Sequence, residues 1–186
     1  MGASRASQQP GADRLASGGL GPASGARPAT AVLFVCLGNI CRSPQAEGIF
    51  RQQVAAAGLQ ERFIIDSAGT SSYHQGELAD WRTRQASAAR GVELLHRSRP
   101  FDPADFERFD HILVMDHSNL RDVLALAAQP HHRGKVELLR SYDSQAADSA
   151  VPDPYSGGAD GFDRVFDMCE LACAGLLRRL TAQPQP

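Results

Sequence analysis

Apolar residues recur along the chain in two alternating patterns, beginning at Ala31. Short apolar runs predict β-strands at about residues 31–36, 63–67, 111–116 and 136–139, and segments with a helical period fill the intervals. Strands that alternate with helices are joined by right-handed crossovers. The pattern therefore predicts an α/β fold of three layers, in which a four-stranded parallel sheet is flanked by helices.

Two predicted helices have clear boundaries. The first begins with Ser43 as its N-cap and Pro44 at the first helical position, and it ends near Gly58. The last covers about residues 162–180 and places its apolar residues on one stripe, which comprises Val165, Phe166, Cys169, Cys173, Leu176, Leu177 and Leu180. Both helices are expected to pack on the sheet.

The composition changes sharply near residue 28. Residues 1–28 are dominated by Gly, Ala, Ser and Pro and have few large apolar side chains, so they bury too little surface to offset chain entropy. We expect a disordered tail there, one folded domain over residues 29–182, and a short C-terminal tail at residues 183–186.

The charge balance excludes some partners. The chain of 186 residues has 19 Lys and Arg against 21 Asp and Glu, a formal charge of -2, which gives no overall attraction to nucleic acid or anionic membranes. The longest apolar run is far shorter than the roughly 20 residues that span a bilayer. We expect a soluble protein with neither partner, in which any recognition of anions is local.

Four cysteines occur in two pairs, Cys36 with Cys41 and Cys169 with Cys173. No secretory signal precedes them, so the sequence favours a reducing cytoplasm over a disulfide framework. A zinc site of four thiolates is the alternative, but the second pair lies on the amphipathic last helix, where core packing is the simpler interpretation. We expect no metal and no cofactor.

The segment "VCLGNICRSP" joins a predicted strand to a predicted helix. Ligands of open α/β folds bind at such junctions, where the helix N-terminus attracts anions. Arg42 adds a planar guanidinium that can hold two phosphate oxygens, and these positive groups favour the thiolate form of Cys36. Gly38 allows close backbone approach, and Asn39 tolerates a left-handed conformation. The pattern indicates a cysteine nucleophile that attacks phosphorus.

A second segment, "VPDPYSGG", supplies a carboxyl group. Phosphoryl transfer from an ester needs a proton for the leaving oxygen, and Asp153 could donate it if two flanking prolines hold the carboxyl over the site. Tyr155 would form an aromatic wall beside it. The alternative is an ordinary surface turn.

Taken together, "VLFVCLGNICRSP", "DSAGTSSYHQG", "MDHSNLRD" and "PDPYSGG" resemble the low-molecular-weight protein tyrosine phosphatases, in the same order, from Val32 to about Leu180. The resemblance implies metal-free hydrolysis of phosphotyrosine through a phosphocysteine. It also implies phosphotyrosine-containing proteins as partners and phosphate as product and inhibitor. Nothing in the sequence indicates an oligomeric state.

The resemblance also implies residue roles. Cys36 would be the nucleophile, Arg42 the phosphate clamp and Asp153 the proton donor. Ser43 would hydrogen-bond the thiolate. The phosphate-binding loop would be formed by the backbone of Leu37, Gly38, Asn39, Ile40, Cys41 and Arg42.

Further implied roles concern support, substrate and redox protection. Ser67 and His96 would buttress Asn39, although a solvated histidine is the alternative for His96. Cys41 would protect the nucleophile by forming a disulfide, or it would simply fill space beneath the loop. The substrate wall would be formed by Tyr73, His74 and Tyr155, and Trp81 of the same segment is a further aromatic candidate. Many relatives carry two adjacent tyrosines, whereas here Ser156 follows Tyr155.

Two other functions are alternatives to the phosphatase. An arsenate reductase on this fold needs further thiols in mid-chain, and no cysteine lies between Arg42 and Met168. A module that binds phosphotyrosine without turnover would lack Cys36 or Asp153, and both are present. The sequence therefore favours the phosphatase.

Overall fold

The computed structural model describes Met1 and residues 29–158 and 160–182. Apart from Met1, the predicted tails at residues 1–28 and 183–186 lie outside the described residues.

A four-stranded sheet forms the centre of the domain. Its strands are β1 (Thr30–Cys36), β2 (Phe63–Gly69), β3 (His111–Val114) and β4 (Val136–Leu138), in the order β2-β1-β3-β4. All three pairings are parallel, so the predicted sheet is confirmed. The carboxyl ends of the strands share one edge, and Cys36 ends the central strand β1 at that edge.

Helices cover the sheet. They are α1 (Arg42–Ala56), α2 (Trp81–Ala88), α3 (Asp105–Arg108), α4 (His117–Ala125), α5 (Pro130–Arg133) and α6 (Asp160–Ala182), with 3₁₀ turns at Gln60–Arg62 and Leu139–Tyr142. Across the described ranges, none of these helices combines the length and apolarity needed to cross a bilayer.

The core lies on both faces of the sheet, because successive side chains of a strand point in opposite directions. Phe34 packs in one cluster with Phe50 of α1 and Phe166 of α6. Its neighbour Leu33 packs in a second cluster with Phe106. The predicted three layers are therefore confirmed, and the predicted apolar stripe of the last helix is buried or partly buried in the first cluster.

The predicted role of Ser43 as N-cap is wrong. Helix α1 already begins at Arg42, and its N-cap Cys41 makes no capping hydrogen bond through its side chain. The Ser43 hydroxyl donates to the Ala68 carbonyl oxygen at 3.2 Å and lies 3.1 Å from Cys36 Sγ. A hydroxyl engaged by β2 and by the end of β1 is not available to cap its own helix.

Candidate active site

The β1–α1 loop, residues 37–41, wraps around the sulfur of Cys36. The Asn39 backbone N–H donates to Cys36 Sγ at 3.3 Å, and Ser43 Oγ lies 3.1 Å from the same sulfur. Cys36 is nearly buried, with 2% of its surface exposed. The thiol thus lies at the base of a loop whose polar groups face it, next to the N-terminus of α1.

Asn39 holds the shape of this loop. It is the one non-glycine residue in the described part of the chain with a positive φ, 53°, a conformation that asparagine tolerates. Its Nδ2 donates to Ser43 Oγ and to Ser67 Oγ, both at 2.9 Å. Its Oδ1 accepts from the Arg99 backbone N–H at 2.9 Å and contacts His96 Nε2 at 2.7 Å. The structure therefore places Ser67 and His96 directly against Asn39.

A buried carboxylate extends this network. Glu47 Oε2 accepts from Ser67 Oγ at 2.8 Å and lies 3.3 Å from His96 Nδ1. Burial lowers the pKa of His96, and the carboxylates of Glu47 and Asp66 oppose that shift. The role of Glu47 was not predicted from the sequence, because its partners come from β2 and the segment before α3.

Two glycines permit the close approach of neighbouring segments to the loop. A Cβ atom on Gly69 would lie 2.8 Å from the Leu37 carbonyl oxygen, so the end of β2 packs tightly against the loop. A Cβ on Gly38 would lie 3.0 Å from the His74 ring. A side chain at position 38 would therefore press against the ring of His74.

Arg42 is buried and held by two carboxylates. Its Nη1 donates to Asp116 Oδ2 at 2.5 Å and to the Val151 carbonyl oxygen at 3.3 Å, and its Nη2 donates to Asp153 Oδ2 at 2.7 Å. Burial works against its charge, yet the pKa of Arg42 is raised, first by Cys36 and then by Asp116 and Asp153. Among the described residues, its buried Nε has no partner.

Asp116 is a site residue that the sequence analysis missed. It lies two residues beyond β3 and caps α4 by accepting from the Asn119 N–H at 2.8 Å. Burial would raise the pKa of Asp116, but the hydrogen bonds from Asn119 and Arg42 lower it overall. Its position at the carboxyl end of a strand is the signal that could have identified it.

A cleft of about 330 Å³ opens above the thiol. Its walls combine Asp153, whose side chain is 42% exposed, with the rings of Tyr73, His74 and Tyr155. The His74 and Tyr155 ring centroids are 6.5 Å apart. Trp81 is 65% exposed and is not among the residues that line the cleft, so three of the four aromatic candidates meet there. Leu37, Gly38, Ile40 and Cys41 complete the floor and rim.

Cys41 lines the cleft but is largely buried, with 5% of its surface exposed. It packs with Ile40, Ala86 and Phe162 in a small apolar cluster. Burial raises the pKa of the Cys41 thiol to about 12, and the nearby Thr83 side chain only partly offsets this effect. Cys41 is therefore protonated at neutral pH.

The other two cysteines lie in the core. Cys169 and Cys173 are fully buried, and Cys173 Sγ contacts the Ala46 carbonyl oxygen at 3.6 Å. Within the described ranges, no cysteine belongs to a group of three possible metal ligands. The geometry thus favours core packing over the zinc alternative for this pair.

Comparison with known proteins identifies the family. The model of the low molecular weight phosphotyrosine protein phosphatases matches residues 31–185. The chain belongs to this family. It is 47% identical to a low molecular weight protein-tyrosine-phosphatase of Streptomyces coelicolor, over 82% of this chain and 94% of the relative. The human low molecular weight phosphotyrosine protein phosphatase is 42% identical, over 80% and 94%.

A solved structure agrees with this assignment. The protein tyrosine phosphatase of Entamoeba histolytica, crystallised with Hepes in its active site, has a TM-score of 0.80 and 40% identity, covering 83% of this chain and 98% of its own. As a low molecular weight phosphotyrosine phosphatase, the protein is a hydrolase of phosphate esters. Its cleft contains a thiol, a buried arginine and a carboxyl group, which are the groups that such a reaction can use.

Proposed function

We propose that this phosphatase hydrolyses phosphotyrosine in proteins with Cys36 as nucleophile, Arg42 as phosphate clamp and Asp153 as proton donor. The observation that carries the proposal is the meeting of these three side chains at one cleft, where Arg42 Nη2 bonds Asp153 at 2.7 Å beside the Cys36 thiol. The buried Nε of Arg42, unpartnered in the described part of the chain, suits an anion bound in the loop.

In the first step, the Cys36 thiolate attacks phosphorus and the bond to the tyrosine oxygen breaks, which leaves a phosphocysteine. The backbone of residues 37–42 and the Arg42 guanidinium would hold the three equatorial oxygens of the transferred group. Ser43 would stabilise the sulfur when it becomes the leaving group. Water then attacks phosphorus, the bond between sulfur and phosphorus breaks, and phosphate is released.

Asp153 moves the proton in both steps. It protonates the tyrosine oxygen as that oxygen leaves, and it then accepts a proton from the attacking water. Its carboxylate accepts a hydrogen bond from Arg42 Nη2 at 2.7 Å, which holds it at the cleft.

The cleft suits a flat, hydrophobic substrate group. The His74 and Tyr155 rings, with the strongly exposed Tyr73, would contact the tyrosine ring of a phosphotyrosine side chain. We infer that the substrates are phosphotyrosine-containing proteins of the cytoplasm and that phosphate is both product and competitive inhibitor. We assign this activity to a domain of residues 29–182.

One pair of assays tests the reaction class. We expect release of phosphate from an aryl phosphate in the presence of a metal chelator, and no thiol-dependent reduction of arsenate. The reverse result would support the arsenate reductase. Tight binding of phosphotyrosine without phosphate release would support a binding module.

Replacement of Asp153 by asparagine tests the proton donor. We expect kcat/KM to fall by roughly 10² to 10⁴ for phenyl phosphate and by much less for an aryl phosphate with an activated leaving group, which needs less protonation. Asp148→Asn is the matched control, since Asp148 is an exposed aspartate of the same connection between β4 and α6. Equal losses across leaving groups would show that Asp153 does not donate the proton.

We further propose that Cys41 protects Cys36 from irreversible oxidation. Peroxide would oxidise Cys36 to a sulfenic acid, which would condense with the protonated Cys41 thiol to form a disulfide and release water. Both residues line the same cleft, and Cys41 lies at the end of the loop that encircles Cys36. Some backbone movement is required, because Cys41 packs in its own cluster.

Mild peroxide should therefore inactivate the wild-type enzyme reversibly. We expect dithiothreitol to restore most activity in the wild type but little in Cys41→Ser, with phosphate protecting both. Cys173→Ala, which removes a core thiol, should recover like the wild type. The protective role fails if peptide mapping finds no disulfide between Cys36 and Cys41 and Cys41→Ser recovers fully.

A further inference from the structure

We propose that Arg82 is a positioning residue that holds the acid loop, residues 151–156, over the β1–α1 loop. This inference rests on the proposed role of Asp153 as proton donor. Arg82 is the second residue of α2 and lies outside the group of residues that line the cleft. It would act through the backbone of the acid loop.

All three nitrogens of the Arg82 guanidinium donate hydrogen bonds, and two aromatic rings lie near its carbon. Its Nε and Nη2 donate to the two carboxylate oxygens of Asp80 at 3.1 and 2.9 Å, and its Nη1 donates to the Tyr155 carbonyl oxygen at 3.2 Å. Its carbon Cζ lies 4.5 Å from the Phe162 ring centroid and 5.4 Å from that of Tyr155. A planar, delocalised cation with a fork of donors is suited to such a position, and lysine cannot reproduce it.

Asp80 connects this arginine to the β1–α1 loop. Its backbone N–H donates to the Ile40 carbonyl oxygen at 2.8 Å, and its carboxylate also caps α2 through the Arg82 N–H at 2.8 Å. The hydrogen bonds from Arg82 lower the pKa of Asp80, so this carboxylate stays ionised. Asp80 and Arg82 therefore form a bridge that begins at the loop around Cys36 and ends at the acid loop.

The acid loop is attached on both sides of Asp153. On one side the Val151 N–H donates to the Met115 carbonyl oxygen at 2.7 Å. On the other side Arg82 binds the Tyr155 carbonyl, and the Tyr155 N–H donates to Asp153 Oδ1 at 3.1 Å. Pro152 and Pro154 have no backbone N–H to offer. Contact with Arg82 therefore fixes the residue whose N–H orients the Asp153 carboxyl.

Loss of this contact should affect proton transfer more than phosphate binding. Proton donation requires Asp153 to lie within hydrogen-bond reach of the leaving oxygen, and small displacements reduce the rate steeply. Phosphate binding should depend on the β1–α1 loop and Arg42, to which Arg82 makes no direct hydrogen bond among the described residues. The expected signature is a defect that grows as the leaving group becomes more basic.

The test compares Arg82→Met, which keeps much of the apolar stem, with Arg84→Met as matched control. Arg84 lies on the same helix, is exposed, and donates through Nε to the Ala79 carbonyl oxygen. For Arg82→Met we expect kcat/KM to fall by roughly 10 to 100-fold for phenyl phosphate, but by less than about threefold for an activated aryl phosphate. The inhibition constant of phosphate should change by less than about twofold, and Arg84→Met should resemble the wild type.

A double variant separates positioning from general stability. In the Asp153→Asn background, Arg82→Met should cause almost no further loss with phenyl phosphate, because residues that act through one another are not additive. Equal losses for all leaving groups, an additive double variant, or no loss would overturn the inference. Arg82→Lys retains the positive charge but loses the planar set of guanidinium donors, so it should show the same selective defect. This variant replaces Arg82→Met in the test if Arg82→Met does not fold.

The same variants distinguish a failure of Asp153 as proton donor from a failure of Arg82 as positioning residue. A uniform loss in Asp153→Asn would refute the proposed proton donor itself. A selective loss in Asp153→Asn together with a uniform loss in Arg82→Met would refute only the role of Arg82.

Discussion

Replacement of Cys36 by serine is expected to abolish turnover while phosphate binding survives. A serine hydroxyl is a much weaker nucleophile than a thiolate, so kcat/KM with an aryl phosphate should fall by at least roughly 10⁴-fold. Serine is similar in size, and its oxygen can still face the Asn39 N–H and Ser43 Oγ that lie near the sulfur. Arg42 and the backbone of the loop should therefore continue to bind phosphate or vanadate.

Two measurements on Cys36→Ser test this prediction. Titration calorimetry with phosphate reports the intact loop, and steady-state hydrolysis of an aryl phosphate reports the chemistry. Activity close to that of the wild type would refute Cys36 as nucleophile. Loss of phosphate binding together with loss of the folded circular dichroism signal would show only that the variant fails to fold, and Cys36→Ala would then be measured instead.

Replacement of Arg42 by lysine should be nearly as damaging, with a loss in kcat/KM of roughly 10³ to 10⁵-fold. An ammonium group is a point charge that cannot hold two phosphate oxygens in a fixed plane. It also cannot bond Asp116, the Val151 carbonyl and Asp153 at once, as the guanidinium does. The variant therefore loses the clamp and leaves two carboxylates poorly paired.

The control for Arg42→Lys is Arg121→Lys, because the Arg121 side chain is 72% exposed on α4. We expect wild-type kinetics and an unchanged inhibition constant for phosphate in the control. The phosphate inhibition constant should rise in Arg42→Lys, since the clamp contacts bound phosphate as well as the transition state. A loss in kcat/KM below tenfold would contradict the assignment of Arg42.

The sequence predicted the four strands to within three residues at each end, because the apolar pattern of a strand is a local property. It placed the start of the first helix two residues late, at Pro44 instead of Arg42, since a serine followed by proline is typical of a helix start. That pattern contains no information on β2, whose Ala68 carbonyl binds the Ser43 hydroxyl. A distant partner thus changed the function of a residue whose local context predicted a cap.

The candidate site likewise combines residues that are close in sequence with partners from distant segments. Cys36, Arg42 and the loop between them are close in sequence, and their residue types at the end of an apolar strand were enough to predict an anion site. The carboxylates that bind Arg42 are 74 and 111 positions away from it, at Asp116 and Asp153. Asp153 was predicted from the chemistry of a carboxyl group and from the resemblance of its segment, "PDPYSGG", to the phosphatase family. Asp116 was not predicted.

The sequence by itself determined which strands form, that both faces of β1 are buried, and which loop contains the proposed nucleophile Cys36. The tertiary structure decided what surrounds that loop: the carboxylates on Arg42, the four hydrogen bonds that hold Asn39, and the bridge through Arg82. The physical reason is that apolar burial follows a repeating pattern along the chain. A buried charge or amide must instead find specific partners, and folding brings those partners from distant segments.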